Sequence, residues 1–424
     1  MGAMLRHPLV ALALVACSAP NIVLEGPGED DTGQVTGETG APPDETGDTG
    51  LEHIPGTSAY TQSDPLFQLD VVHAVEITMG SAAMDSLRSD PFTYVHADLS
   101  FDDDLVSDVG VRIKGRIGSY RDLSQKSAFK IDFNRYVDSQ TYRALEKLNL
   151  NSMVQDNAQV HERIAYGLYR LAGLPAPRVG YAWVKVNGAD FGLYTLVEAY
   201  DDVFLKGRYA EPDGNLYDGD YVWYGEYEYD KLDFVASLQD MYVLDEGQDV
   251  GHADIHAVTQ ALAASYGGAS FDETMSAVVD MDQLIQMWAA DTWVGHYDSY
   301  SFNQNNYRVY FDPQDGLADL LPWDPDWAFY DDTPITTPSG YLALGCQADP
   351  SCYQAFLVAL GELCAAVQGS DLEEQLDQAQ ALIAPYVRAD PRKETTAESA
   401  AAYQEAVRAW LYRRRGTMEA YFGI

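Results

Sequence analysis

Between His296 and Trp327 the chain reads H-Y-D-S-Y-S-F-N-Q-N-N-Y-R-V-Y-F and then L-L-P-W-D-P-D-W. Asp298, Asn303, Asp324 and Asp326 all fall in this stretch, and two apolar runs, 309–311 and 320–321, bring the chain back on itself as a hairpin. Asp324 and Asp326 are two apart on an extended segment and so share one face. That is too close for the acid and nucleophile of most glycosidases, and it suits one shared cation. An Asp, an Asn five residues on and an Asp just past a strand is the order in which phosphoryl-transfer sites present a base and two Mg²⁺ ligands. Other chemistries lack their residues: the eight His residues contain no H-E-x-x-H, and no G-x-S-x-G occurs.

The elements that must position these groups are legible upstream. Residues 109–114 and 128–133 read as paired strands joined by Gly115-Arg116-Ile117-Gly118-Ser119-Tyr120-Arg121, where Gly115 and Ser119 could turn backbone N–H groups toward a phosphate. Lys130, in F-K-I-D-F, is either an edge residue with its ammonium in water or a deliberately placed charge. A carboxylate partner would favour the second reading, and Glu162 is the candidate. Glu162 opens a helix over 161–172, where Ile164, Leu168 and Leu171 recur at helical spacing and Gly173 provides the stop. Strands over 181–186 and 192–198 flank the hairpin turn Asn187-Gly188. Glu198, at the end of the second, is either structural or faces the sugar or base of a ligand. Asp213 to Asp220 has the look of a Ca²⁺ loop without its alternating ligands or closing Glu, and reads as a turn-rich structural element. Residues 221–250, Tyr-rich and acidic, read as surface. Helical patterns follow over 255–266, 281–293, 371–386 and 398–421, so the expected class is α+β.

A formal charge of −40 on 424 residues excludes nucleic acid and anionic lipid surfaces as partners, because there are too few Lys and Arg to neutralise phosphates. It favours a divalent cation or a basic protein. Residues 9–16 form a short apolar run ending in Leu14-Val15-Ala16-Cys17, too short to span a bilayer. The run has the form of a signal peptide over 1–17, and Leu14 to Cys17 resembles the bacterial lipobox, with Cys17 acylated; the alternative is an ordinary secretory signal. Either makes the protein exported, and the first anchors it in the cell envelope or at the cell surface. Residues 18–60, with Thr-Gly recurring and no Lys or Arg, read as an acidic tether. A folded domain over 66–390 and a C-terminal helix over 391–424 complete the organisation, in a chain expected to be monomeric. In an exported protein Cys346 and Cys352 are expected to pair, leaving Cys364 as a buried thiol.

Read in order, V-G-V-R-I-K-G (109–115), K-S-A-F-K-I-D-F (126–133), L-E-K-L-N-L-N (145–151), H-E-R-I-A-Y-G-L-Y-R (161–170), V-N-G-A-D-F-G-L-Y-T-L-V-E (186–198), D-S-Y-S-F-N-Q-N-N-Y (298–307) and P-W-D-P-D-W-A-F (322–329) resemble the CotH kinase family. The resemblance implies a reduced, divergent protein-kinase-like two-lobe fold with a C-terminal helical region, holding ATP and Mg²⁺ or Mn²⁺ between the lobes. It puts Lys130 on the nucleotide phosphates, Glu162 beside it, Asp298 on the acceptor hydroxyl, and Asn303 with Asp324 on metal. Where conventional kinases have D-F-G this chain has Asp324-Pro325-Asp326, so either Asp is a candidate ligand. The implied activity is transfer of the ATP γ-phosphoryl group to Ser or Thr of an exported protein, with a basic acceptor. An exported protein meets little ATP, which keeps open a non-catalytic surface binding or adhesion role on the same scaffold.

Overall fold

Alternating apolar and polar residues close the first half of the chain into a barrel. Its strands are β1 (Val72–Thr78), β2 (Val95–Phe101), β3 (Asp104–Lys114), β4 (Ala128–Asp132), β5 (Lys147–Asn151), β6 (Val179–Val186) and β7 (Ala189–Glu198). They pair in the order β1-β2-β3-β4-β5-β7-β6 and back to β1. Every pairing is antiparallel except β1 with β6. The computed structural model describes residues 62–424 apart from 117, 226, 227 and 249. The readings of residues 1–17 as a signal peptide with a lipid anchor on Cys17, and of 18–60 as a tether, lie outside them.

Period-two alternation sends Ile113, Phe129, Ile131, Leu148, Leu150 and Leu196 into the barrel, where all are buried. The intervening residues face out. Register places Lys114, Ala128, Asn151 and Thr195 on one rung of that outer face and Arg112, Lys130, Asn149 and Val197 on another. At the β6–β7 hairpin, Asn187 and Gly188 both take positive φ, as a two-residue turn of this kind requires.

A second sheet, in the order β11-β8-β12-β13, comprises β8 (Asn215–Asp218), β11 (Val243–Glu246), β12 (Tyr307–Phe311) and β13 (Ala318–Pro322). A two-stranded ribbon, β9 (Val222–Trp223) and β10 (Tyr229–Asp230), lies between β8 and β11 in the chain. β12 and β13 are the expected hairpin, with Val309 opposite Leu320.

The helices used below are α1 (His161–Leu171), α2 (Met281–Val294), α3 (Pro350–Gln368), α4 (Leu372–Ala389) and α5 (Ala397–Phe422). They share a core separate from the barrel interior. Trp288 of α2 stacks on Phe356 of α3 with ring centroids 3.7 Å apart. α5 belongs to this core through buried Val407, Trp410 and Met418, so the segment 391–424 packs with the domain it follows. Within its basic run, Arg414 is buried and caps α2, donating to the carbonyls of Trp293 at 2.7 Å and Thr292 at 2.6 Å. Gly295 ends α2 in the left-handed conformation, and a Cβ there would lie 2.6 Å from the Trp410 ring. α2 therefore stops abruptly and turns the chain toward Asp298. The mixed α+β class is as expected, and Cys346 is disulfide-bonded to Cys352 while Cys364 is a buried free thiol.

Candidate active site

A cavity of about 280 Å³ lies between the outer face of the barrel and the β12–β13 hairpin. The barrel contributes Arg112, Lys114 and Lys130, and the loop after β3 adds Arg116. With Arg308 of β12, five of the chain's 26 Lys and Arg residues line this one cavity. In so acidic a chain that concentration marks a place for an anion. Gly115 and Ser119 line it as well, and the loop is folded tightly: Gly115 has φ of 107°, and the Arg116 N–H donates to Ser119 Oγ at 3.1 Å.

The opposite wall carries carboxylates. Asp298 Oδ2 accepts from the side-chain amides of Asn305 at 3.0 Å and Asn306 at 3.3 Å. Its Oδ1 accepts from the Tyr221 hydroxyl at 3.1 Å and from the Asn303 amide. Burial raises the Asp298 pKa, these donors oppose the rise, and Asp324 adds to it. Behind Asp298, Tyr169 of α1 donates to Asp291 of α2 at 2.6 Å and lies 3.2 Å from His296 Nδ1, tying both helices to the turn. Burial pushes the His296 pKa down to about 3, so this ring is neutral at ordinary pH.

Asp324 follows β13 with φ of 45°, a left-handed conformation that Asp tolerates better than most residues, and its N–H donates to Tyr166 of α1 at 2.9 Å. Asn151 links this wall to the barrel: its amide donates to Glu162 and, at 3.5 Å, to Asp324, while its carbonyl accepts from the Lys114 ammonium. Thr195 donates to the other oxygen of Glu162. Burial and then the Asp324 charge push the Glu162 pKa up to about 7. The pKa of Asp326 is raised well above the usual range by burial and by Asp324 and Glu162. Carboxylates held this close carry more negative charge than their neighbours compensate, so the donor set fits a divalent cation. Among the described residues no three His, Cys, Asp or Glu side chains already converge on a point that would hold a metal.

Several expectations need correction. Lys130 does not meet Glu162. The ammonium near that glutamate is Lys114, on the rung that also carries Asn151 and Thr195. Lys130 sits two residues further along the sheet, a displacement of about 7 Å, opposite Arg112 and Asn149. It still lines the cavity, and burial, outweighing the nearby Asp245, lowers its pKa. Glu198 does not line this cavity: Arg178 donates to it at 2.7 Å and Arg208 at 2.6 Å, and these guanidinium groups hold its pKa at about 2 against the cost of burial. The structural reading of Glu198 therefore holds. Asn303 stands behind Asp298 and orients it, donating also to Tyr221.

Some site residues went unread in the sequence. Asp218 and Asp220, treated as part of a structural turn, line the cavity, and Arg308 pairs with Asp218 at 2.7 Å. Residues 221–250 contribute Tyr221. The alternation L-N-L-N over 148–151 was the available signal for Asn149 and Asn151, since it places two amides on one face of a strand.

A family profile described as CotH kinase protein matches residues 111–418. Inner spore coat protein H of Bacillus subtilis (strain 168) is 22% identical over 223 residues, 52% of this chain and 58% of that protein. The chain thus spans less than two thirds of that relative's length. Among solved structures, the HipA, HipB and operator DNA complex of Shewanella oneidensis MR-1 aligns with a TM-score of 0.30 at 12% identity, over 70% of this chain and 59% of that chain. The Helicobacter pylori proinflammatory kinase CtkA aligns at 0.27 and 12% identity, over 68% of this chain and 90% of that one. The Golgi casein kinase aligns at 0.27 and 11% identity, over 85% and 77%. These scores are too low to carry weight, whereas the family match covers most of the chain and includes both walls of the cavity. By that match, the chain belongs to the CotH kinase protein family.

Proposed function

We propose that this protein transfers the γ-phosphoryl group of ATP to a Ser or Thr hydroxyl of an exported protein. The observation that carries the reading is the segregation of charge across one cavity, with Arg112, Lys114 and Lys130 on the barrel wall and Asp298, Asp324 and Asp326 opposite. Phosphoryl transfer needs little covalent help and much electrostatic positioning, which two such walls supply. In this reading the barrel cations bind the phosphates, and the Gly115 to Ser119 loop covers them with backbone N–H groups. Lys114, held by Asn151, sets the distance between those phosphates and the carboxylates. Asp298, oriented by three asparagine amides, accepts the proton of the incoming hydroxyl. Asp324 and Asp326, with Glu162 behind them, would hold Mg²⁺ or Mn²⁺, which when bound neutralises charge on the phosphates.

Export on a lipid anchor at Cys17 remains part of the proposal, and the acidic chain favours a basic acceptor. The test is incubation of the purified chain with γ-labelled ATP, Mg²⁺ or Mn²⁺ and a basic Ser-rich protein. Label transfer that Asp298→Ala abolishes is the expected result. Label from α-labelled ATP would instead indicate nucleotidyl transfer. A second reading, a non-catalytic binding protein on the same scaffold, is favoured by the position of Asn303, which is expected to hold metal yet is not among the residues lining the cavity. A chain that shows no thermal shift with ATP would support it.

A further inference from the structure

We propose that Tyr221 is a self-phosphorylation site, because its phenol stands on Asp298 in the place of an acceptor hydroxyl. The inference rests on the reading of Asp298 as the base and of the cavity as an ATP site. Tyr221 lies just beyond β8 and is drawn across the cavity by a tight turn. Gly219 N–H bonds Tyr307 O at 3.1 Å, Asp220 N–H bonds Asp218 Oδ1 at 3.0 Å, and the Tyr221 N–H bonds Asp220 Oδ1 at 2.7 Å. Its ring stacks on Tyr229 with centroids 4.4 Å apart, and its hydroxyl donates to Asp298 Oδ1 at 3.1 Å. Lys114, Asp324 and Tyr221 line the same cavity.

A general base must lie within hydrogen-bond reach of the hydroxyl it deprotonates. Among the described residues, the hydroxyl that bonds Asp298 is that of Tyr221. A purely orienting role would be redundant, since Asn303, Asn305 and Asn306 already donate to both oxygens of Asp298. In the transfer, Tyr221 Oη forms a bond to the γ-phosphorus of ATP. The bond from that phosphorus to the β,γ-bridging oxygen breaks, its electron pair leaves with ADP, and the phenolic proton passes to Asp298. The product places a phosphate dianion beside Asp298 and Asp324. Repulsion then drives the ring out and frees Asp298 for a hydroxyl from another protein.

The experiment uses the full chain, phosphatase-treated, then incubated with ATP, Mn²⁺ and a basic Ser-rich acceptor. Peptide mass spectrometry reads position 221, and a thermal shift reads nucleotide binding. The expected result is one phosphoryl group on Tyr221, appearing with a first-order rate constant independent of protein concentration, and absent in Tyr221→Phe and Asp298→Asn. Wild-type protein that labels the acceptor while position 221 stays unmodified overturns the proposal, as does a rate constant that scales with protein concentration. Protein that neither shifts with ATP nor labels anything overturns the phosphoryl-transfer reading, and this inference with it.

Discussion

Glu162, which packs against β7 through Thr195, and Glu198, which ends that strand, are both buried glutamates, yet their surroundings drive them in opposite directions. Glu198 lies between the guanidinium groups of Arg178 and Arg208, which hold its pKa at about 2. Glu162 lies against Asp324, with only amide and hydroxyl donors and the more distant Lys114 to offset it, and is pushed up to about 7. Burial opposes ionisation at both positions, so burial alone does not distinguish a scaffold charge from a site charge. What differs is whether the protein supplies the counter-charge itself. At Glu198 it does; around Glu162, Asp324 and Asp326 the compensation is left for something that binds.

The strongest way to break this comparison is to remove Glu198. Glu198→Ala leaves two guanidinium groups facing each other in the interior, and the expected loss is about 3–5 kcal/mol of unfolding free energy in a urea titration. The pH dependence has a definite sign. A carboxylate held below its ordinary 4.5 contributes stability that is fully present above that pH and is lost as pH falls toward about 2. The variant should lack that acid-side loss, and a wild-type stability flat across this window would contradict the assignment.

Asp324→Asn should do the reverse. Phosphoryl transfer falls on the order of 10²-fold, while the thermal midpoint at neutral pH holds or rises because repulsion with Asp326 and Glu162 is relieved. A drop in stability like that of Glu198→Ala would show that Asp324 is part of the scaffold. Lys114→Met against Lys130→Met sharpens the cationic wall. Both should weaken nucleotide binding, and Lys114→Met should do so by about tenfold or more and by the larger factor, as read by a thermal-shift titration. Equal effects would leave no special place for the Lys114, Asn151 and Glu162 chain of contacts.

The smallest effect is expected from Glu162→Gln. With a folded pKa raised to about 7, Glu162 gives its full contribution below the ordinary 4.5, and that contribution erodes as pH rises toward 7. The variant should therefore be the more stable protein at pH 8, by on the order of 1 kcal/mol. Mn²⁺ should raise the wild-type midpoint more at pH 8 than at pH 5. A cation effect independent of pH would separate metal binding from this carboxylate.

Local pattern was enough to read β3 and β4 as strands and the β12–β13 hairpin from its two apolar runs, because these are properties of neighbouring residues in the chain. It was also enough to find Asp298 and Asp324, which lie in one short stretch. It passed over β5, which is as long as β4, because the polar half of its alternation is asparagine, a residue depleted in strands. It took Asp218 and Asp220 for a turn because nothing local says that β8 pairs with β12, about ninety residues away.

The sequence by itself determined the residue types, the order of the strands and helices, and the family they belong to, since these depend on spacing along the chain. Only the tertiary structure decided which lysine stands by Glu162. Lys114 and Lys130 share one face of one sheet, and local pattern treats them alike. Register separates them by a single rung step, which aligns Lys114 with Asn151 and Thr195 and leaves Lys130 beside Arg112. Charges act through space over a few ångströms, and distances on that scale are set by strand pairing.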